Sequence, residues 1–269
     1  MLPRSNIHTH TCFSDGRDTA EQMVQAALER GFVSLGFSDH GAAPYDAAAM
    51  RAEADYRAEV LRLREQYAGQ IEIALGYEHD YHAFGADLSP YEYAIESVHF
   101  MQHGGELRPI DSSADILASI RDDWFAGDPF AMCRDYFDSV CRSIMTSSAE
   151  IVGHIGLISK FNEGNAMFDS SDPRYLNPAR EAIRCAVERG RIVEINTGAM
   201  SRGYRSAPYP DAVLLRDLHD LGGRITISSD AHRADWIDFA FDQAIALAQS
   251  SSFRTAWIWK DGGMAEVEL

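Results

Sequence analysis

Short apolar runs and longer amphipathic stretches alternate along almost the whole chain. The short runs lie at residues 33–38, 71–75, 93–98, 151–153, 191–196 and 224–228. They are too short for helices and rich in Val, Ile, Leu and Tyr, as expected of strands covered on both faces. Residues 6–10 make a further, more polar strand at the start. Between the runs the apolar spacing changes to three and four, the helical period. Thr19-Ala20-Glu21-Gln22 is a capping-box pattern that opens a helix stopping at Gly31. Residues 51–67 carry Tyr56, Val60, Leu63 and Tyr67 at helical spacing, and residues 131–145 place Tyr136, Phe137, Val140 and Ile144 on one stripe. Further helices are predicted over 178–189, 210–221 and 236–248, the first two closed by glycine. Residues 42–50 read as an Ala-rich connection, and 101–128 as a long excursion with a short helix near 114–120. The tail, 255–259 with 264–268, has the pattern of a hairpin.

Strands followed in turn by helix-forming sequence point to parallel βα units, and no linker-like break divides them. The expectation is an α/β fold with a closed or nearly closed barrel of seven strands, one domain over residues 1–269 ending in the hairpin. In such barrels the chemistry sits at the carboxyl ends of the strands. Metal-binding residue types collect there. His8 and His10 stand two apart on the first strand and so share a face. His40, Glu78, His99, His154, Asp230 and His232 each follow a predicted strand, and Asp15 lies in the loop after the first. A lone His-x-His is a weak signal; its repetition in other forms at strand ends points to one polynuclear metal site. Imidazole and carboxylate donors without cysteine suit zinc, iron or manganese rather than a sealed structural zinc.

Composition changes this picture little, being that of an ordinary globular protein. The net charge of −17 argues against a nucleic-acid backbone or an anionic membrane as the main partner. Bound divalent ions would invert the potential locally and still hold a phosphate. No run is long enough to span a bilayer and residues 1–4 show no leader pattern, so a cytoplasmic location is expected. The four cysteines show no C-x-x-C spacing. Cys133 and Cys141, in a predicted helix, read as free buried thiols in a reducing compartment. Cys12 lies near His10 but outside an already full set of His and carboxylate ligands.

In order along the chain stand His8-Thr9-His10, Ser38-Asp39-His40, Gly76-Tyr77-Glu78, Val98-His99-Phe100, Gly153-His154-Ile155 and Ser229-Asp230-Ala231-His232. Together they resemble the PHP (polymerase and histidinol phosphatase) superfamily, and the spacing and tail resemble its stand-alone histidinol-phosphate phosphatases. The resemblance implies a distorted (β/α)7 TIM-like barrel holding two to three divalent ions. It gives His8, His10, Glu78 and Asp230 to one ion. Glu78 bridges to a second, completed by His99 and His154, while Asp15, His40 and His232 hold the third. Many relatives carry histidine in place of Asp15; a carboxylate there is harder and shifts preference toward manganese or iron. The implied reaction is hydrolysis of L-histidinol phosphate, a small phosphate ester of histidine biosynthesis, with Glu78, Asp230 and His232 in the catalytic set. Loops after the sixth strand supply phosphate contacts in this family, which singles out Arg202 or Arg205, with Lys160 a weaker candidate.

Several neighbours keep two readings. Asp39 either orients the ring of His40 or makes the strand-end turn. His79 and His82 lie near Glu78 and are candidates for substrate or supporting contacts, and Asp80 is an acidic group within reach of a cationic amine. His103 and His219 fall outside the site. The competing functions are a PHP phosphoesterase acting on another small ester or a nucleotide, and a non-catalytic metal-binding module. A metal-dependent amidohydrolase would ordinarily place a bridging lysine where Glu78 stands.

Overall fold

Seven parallel strands form one sheet that curls until its two edges meet. The computed structural model describes residues 4–269. In chain order the elements are β1 (Ser5–Asn6), α1 (Ala20–Glu29), β2 (Ser34–Phe37), α2 (Glu53–Gln66), β3 (Glu72–Asp80), β4 (Tyr93–Ser97), β5 (Phe100–His103), β6 (Glu106–Pro109), α3 (Ala114–Phe125) and α4 (Pro129–Thr146). They continue with β7 (Ile151–Val152), α5 (Pro173–Glu188), β8 (Ile192–Asn196), α6 (Gly198–Ser201), α7 (Ala212–Asp220), β9 (Arg224–Ser228), α8 (Phe241–Ser250), β10 (Thr255–Lys260) and β11 (Gly263–Glu268). The sheet order is β1-β2-β3-β4-β7-β8-β9, every neighbouring pair parallel. The edges join just past the ends of β1 and β9, where His10 N donates to Ala231 O at 2.9 Å and Ala231 N to His8 O at 3.2 Å. Barrel closure therefore runs through the middle of the two histidine motifs.

Two apolar layers hold this arrangement. Between strands and helices lies a large core that includes Leu35, Phe37, Tyr136, Phe137, Val193 and Ile195. Inside the barrel, Ile7, Ala74, Tyr93, Ile95, Ile151 and Ile192 pack on Trp259 of the β10–β11 hairpin. The hairpin thus plugs the end of the barrel at which the strands begin, and Ser34 Oγ donates to Trp259 O at 2.6 Å. Among the described residues no helix is long and apolar enough to cross a membrane.

The structure revises several expected boundaries: the first strand is only Ser5–Asn6, so His8 and His10 lie beyond its end. The 101–128 excursion is not mainly loop: β5 and β6 form a hairpin about Gly104 and Gly105, both at positive φ, and α3 runs on to Phe125. The two-glycine turn was the available signal. Helix α5 begins at Pro173, capped by Asp172, so that Pro178 sits inside it rather than opening it. Residues 234–236 form a separate turn before α8. Strand β3 continues through Glu78 to Asp80, where the apolar run had suggested an earlier end. Its Gly76 is required by packing, since a Cβ there would lie 2.1 Å from the Tyr93 ring. Cys133 is buried and free as expected, but Cys141 is not: it pairs with Cys185 across α4 and α5, the Cα atoms 5.8 Å apart. A separation of 44 residues in sequence hid that contact, and the cysteines no longer argue for a reducing compartment.

Candidate metal centre

The strand ends bring nine ligand-type side chains to one spot inside the barrel mouth. Glu78 is at its middle. Its Oε2 lies 3.2 Å from His8 Nε2, 3.4 Å from His10 Nε2 and 2.9 Å from His40 Nδ1. Its Oε1 lies 3.1 Å from His154 Nε2 and 3.4 Å from His99 Nε2, and accepts from Ser97 Oγ at 2.6 Å. Asp230 Oδ1 approaches His10 Nε2 at 3.2 Å, and Asp15 Oδ1 approaches His232 Nε2 at 3.2 Å and His40 Nε2 at 3.6 Å. Four overlapping groups have donor atoms close enough to share an ion: His10, Asp15, His40, His232; His8, His10, Asp230; His8, Glu78, His154; and His40, Glu78, His99. They overlap the three sets expected from resemblance without reproducing them, because His10 also faces Asp15 and His154 also faces His8.

Electrostatics follow from burial and crowding. Burial disfavours charge on Glu78, but His8, His40 and His99 outweigh it and hold the carboxyl well below the usual range. Asp230 is likewise held low, with Arg202 and His8 overcoming burial. Burial also opposes the charge of Asp15, yet His232, His40 and His10 depress it. Burial pushes His10 down to about 3, helped by the His232 and His40 rings. His40 rises to about 9 because Glu78 and Asp15 overcome its burial. Three ionised carboxylates thus stand among imidazoles, a field that favours a cation.

The donor set fits divalent metal on a second ground. His8 Nε2, His10 Nε2 and Glu78 Oε2 are buried polar atoms without a hydrogen-bond partner. Such orphans are rare in folded proteins, and three that converge are the mark of an ion site. Cys12 joins none of the groups.

Neighbouring residues take roles that spacing left open. Asp39 accepts from Thr11 N at 2.8 Å and Ser14 Oγ at 2.6 Å, so it shapes the loop that carries Asp15 rather than orienting His40. Asp80 is buried, and its oxygens accept from Tyr45 Oη, His82 N and His99 N at 2.7–2.9 Å. It steadies His99 and is not free for a substrate amine. His79 pairs with Glu96, and His82 Nε2 donates to Phe100 O; neither lines the cleft above the centre. That cleft, about 790 Å³, is bordered by Arg202, Lys160, Tyr204, Arg17, Arg233 and Trp236 among others. Arg17, Arg233 and Trp236 had no motif to mark them. Arg202 reaches Asp230 Oδ2 at 2.9 Å and His232 Nδ1 at 3.0 Å. Lys160 Nζ donates to Asp111 O at 2.7 Å. Arg205 points elsewhere, tied to Ser159 O at 3.0 Å, Ser159 Oγ at 2.7 Å and Asp211 at 2.5 Å.

The PHP domain profile matches residues 6–198, most of the chain. This chain belongs to the PHP family. The histidinol-phosphatase of Bacillus subtilis is 26% identical over 261 residues, covering 88% of this chain and 96% of that protein. The hisK structure of Listeria monocytogenes superposes with a TM-score of 0.79 at 22% identity, covering 89% of this PHP chain and 99% of that one. A histidinol phosphate phosphatase of Lactococcus lactis, solved with zinc, L-histidinol and phosphate, gives a TM-score of 0.74 at 19% identity over 98% of this chain and 100% of that one. These likenesses establish a PHP-type, TIM-like barrel, as the sequence motifs implied.

Proposed function

We propose that this PHP protein is a metal-dependent phosphomonoesterase that hydrolyses L-histidinol phosphate to L-histidinol and phosphate. The observation that carries the reading is the convergence of unpartnered His8, His10 and Glu78 donor atoms beneath a cleft bordered by cationic side chains. The substrate comes from the relatives, whose names specify it over nearly their whole length.

His8, His10, Asp15, His40, Glu78, His99, His154, Asp230 and His232 would hold two to three ions, of zinc, iron or manganese. Divalent ions held there supply Lewis-acid charge to the phosphoryl oxygens and to the attacking water. Glu78 offers one oxygen to each of two imidazole groups, which suits a bridging carboxylate. Arg202 is the phosphate-binding side chain. Holding an ion through Nε2, His232 would keep its proton on Nδ1 and donate it to Asp230 O, 3.0 Å away. The Arg202 Nη1 group, 3.0 Å from that same nitrogen, would then lack an acceptor there and be free to donate to a phosphate oxygen. Lys160 adds charge from the opposite rim, partly neutralised by Asp111. In the reaction the water oxygen bonds to phosphorus and gives up a proton, the ester P–O bond breaks, and the leaving alkoxide takes up that proton to become the alcohol.

A phosphatase panel on purified, metal-loaded protein tests the assignment. Histidinol phosphate is expected to be turned over with the highest kcat/KM. Equal turnover of a plain alkyl phosphate would leave only the phosphatase class, and preference for a nucleotide would favour the rival PHP phosphoesterase.

A further inference from the structure

We infer that Glu194 is a positioning residue that fixes the His8 ring for metal binding and ties it to the strand end carrying His154. This deepens the metal-centre reading and rests on it. Glu194 lies in β8, two residues beyond Ile192, which belongs to the apolar floor of the barrel. It is fully buried, and four donors meet its two oxygens. Oε1 accepts from His8 Nδ1 at 2.6 Å and from the Ser228 hydroxyl. Oε2 accepts from the His154 backbone N–H at 2.7 Å and from Asn196 Nδ2 at 2.9 Å.

A carboxylate only accepts, so His8 must carry a proton on Nδ1 to make this contact. An ion displacing the proton on Nε2 would then meet a lone pair on the side facing Glu78 Oε2 and Asp230 Oδ1. Glu194 therefore selects the tautomer in which His8 is a ligand and holds the ring in place. Its other oxygen anchors the backbone of His154, whose own Nε2 faces Glu78. One carboxylate thus braces two residues of a single candidate ion group, His8 by its ring and His154 by its backbone.

The two ends of Glu194 differ in what they tolerate. At Oε2 both donors are fixed: one is a backbone N–H, and Asn196 is oriented because its Oδ1 accepts from Gly198 N at 2.8 Å. At Oε1 the Ser228 hydroxyl can rotate and His8 can move its proton. In Glu194→Gln the new NH2 group is therefore driven toward His8. The ring must then accept at Nδ1 and carry its proton on Nε2, 3.2 Å from Glu78 Oε2. It donates to Glu78 and no longer offers a lone pair to an ion. The substitution replaces a metal ligand with a hydrogen bond, so the metal-free fold survives.

The test compares zinc uptake by metal-stripped wild type and Glu194→Gln in equilibrium dialysis, alongside thermal unfolding of both metal-free forms. The expected result is a metal-free unfolding midpoint close to wild type with affinity for at least one zinc ion weakened by about 10- to 100-fold. Wild-type zinc affinity and stoichiometry in the variant would overturn the assignment. Wild type that takes up no zinc would overturn this inference together with the metal-centre reading. If the variant fails to fold, 15N spectra of histidine-labelled, zinc-loaded wild type give the answer: Nε2 coordination with a hydrogen-bonded Nδ1 proton on His8 is expected, and coordination through Nδ1 contradicts it.

Discussion

At the scale of single residues, two arginines three positions apart have diverged in role. Arg202 borders the cleft and contacts Asp230 and His232, whereas Arg205 braces the loop after α6 through Ser159 and Asp211. Arg202→Ala is expected to weaken binding and turnover of every phosphate ester by about 1.5–3 kcal/mol, the value of a charged hydrogen bond. Arg205→Ala should leave kcat/KM nearly unchanged and lower stability instead, a contrast that steady-state kinetics and denaturant melts resolve. The sequence loop 201–206 contained both residues and could not separate them, because nothing local says which one Asp211 will hold. His79 offers a second test. Burial opposes its charge, but Glu96 raises its pKa above the ordinary value. The raised pKa contributes stability that is complete below the unfolded value of about 6.5 and is lost as pH rises from there through the higher folded-state value. In chelator, the stability difference between wild type and Glu96→Gln should therefore shrink with rising pH; a constant difference would contradict the pairing.

At the scale of elements, the strand ends were the legible part of the site. Strand periodicity predicted a shared face for His8 and His10, which lie just beyond β1 and both approach Glu78 Oε2, and every other ligand except Asp15 follows an apolar run that the chain must bury. Glu194 was less legible: Ile-Val-Glu-Ile-Asn reads as an apolar strand, and only the alternation that puts Glu194 with Ile192 and Asn196 marks it as facing the barrel interior. Turns matter as much as strands. Gly198 opens α6 directly behind Asp230, and a Cβ there would meet Asp230 Oδ2 at 2.6 Å and Arg202 Nη2 at 2.9 Å. Its φ is not in the left-handed region, so alanine is acceptable to the backbone but not to the site. Gly198→Ala should fold, displace the carboxylate and cut turnover by about 100-fold. Near wild-type kcat with full metal content would show that Asp230 has freedom the packing denies it.

At the scale of the whole molecule, the barrel separates stability from chemistry. The hairpin plug and the metal centre occupy opposite ends, and the apolar layer about Ile95 and Ile192 lies beside the plug. Trp259 is buried there, with its ring 5.6 Å from that of Tyr93. Trp259→Ala should cost about 3–5 kcal/mol in denaturant unfolding while the folded fraction keeps its kcat. A comparable loss of kcat would mean that the plug shapes the site. In the proposed enzyme nine side chains at the strand ends and in the loop after β1 hold divalent ions, and those ions are needed to hydrolyse histidinol phosphate. The most direct measurement is phosphate release from L-histidinol phosphate by metal-stripped protein titrated with zinc or manganese, with bound metal counted at each point. Turnover should be negligible in the stripped protein and should rise with occupancy to a plateau at two to three ions per chain. Undiminished hydrolysis by stripped protein, or none by fully loaded protein, would contradict the account.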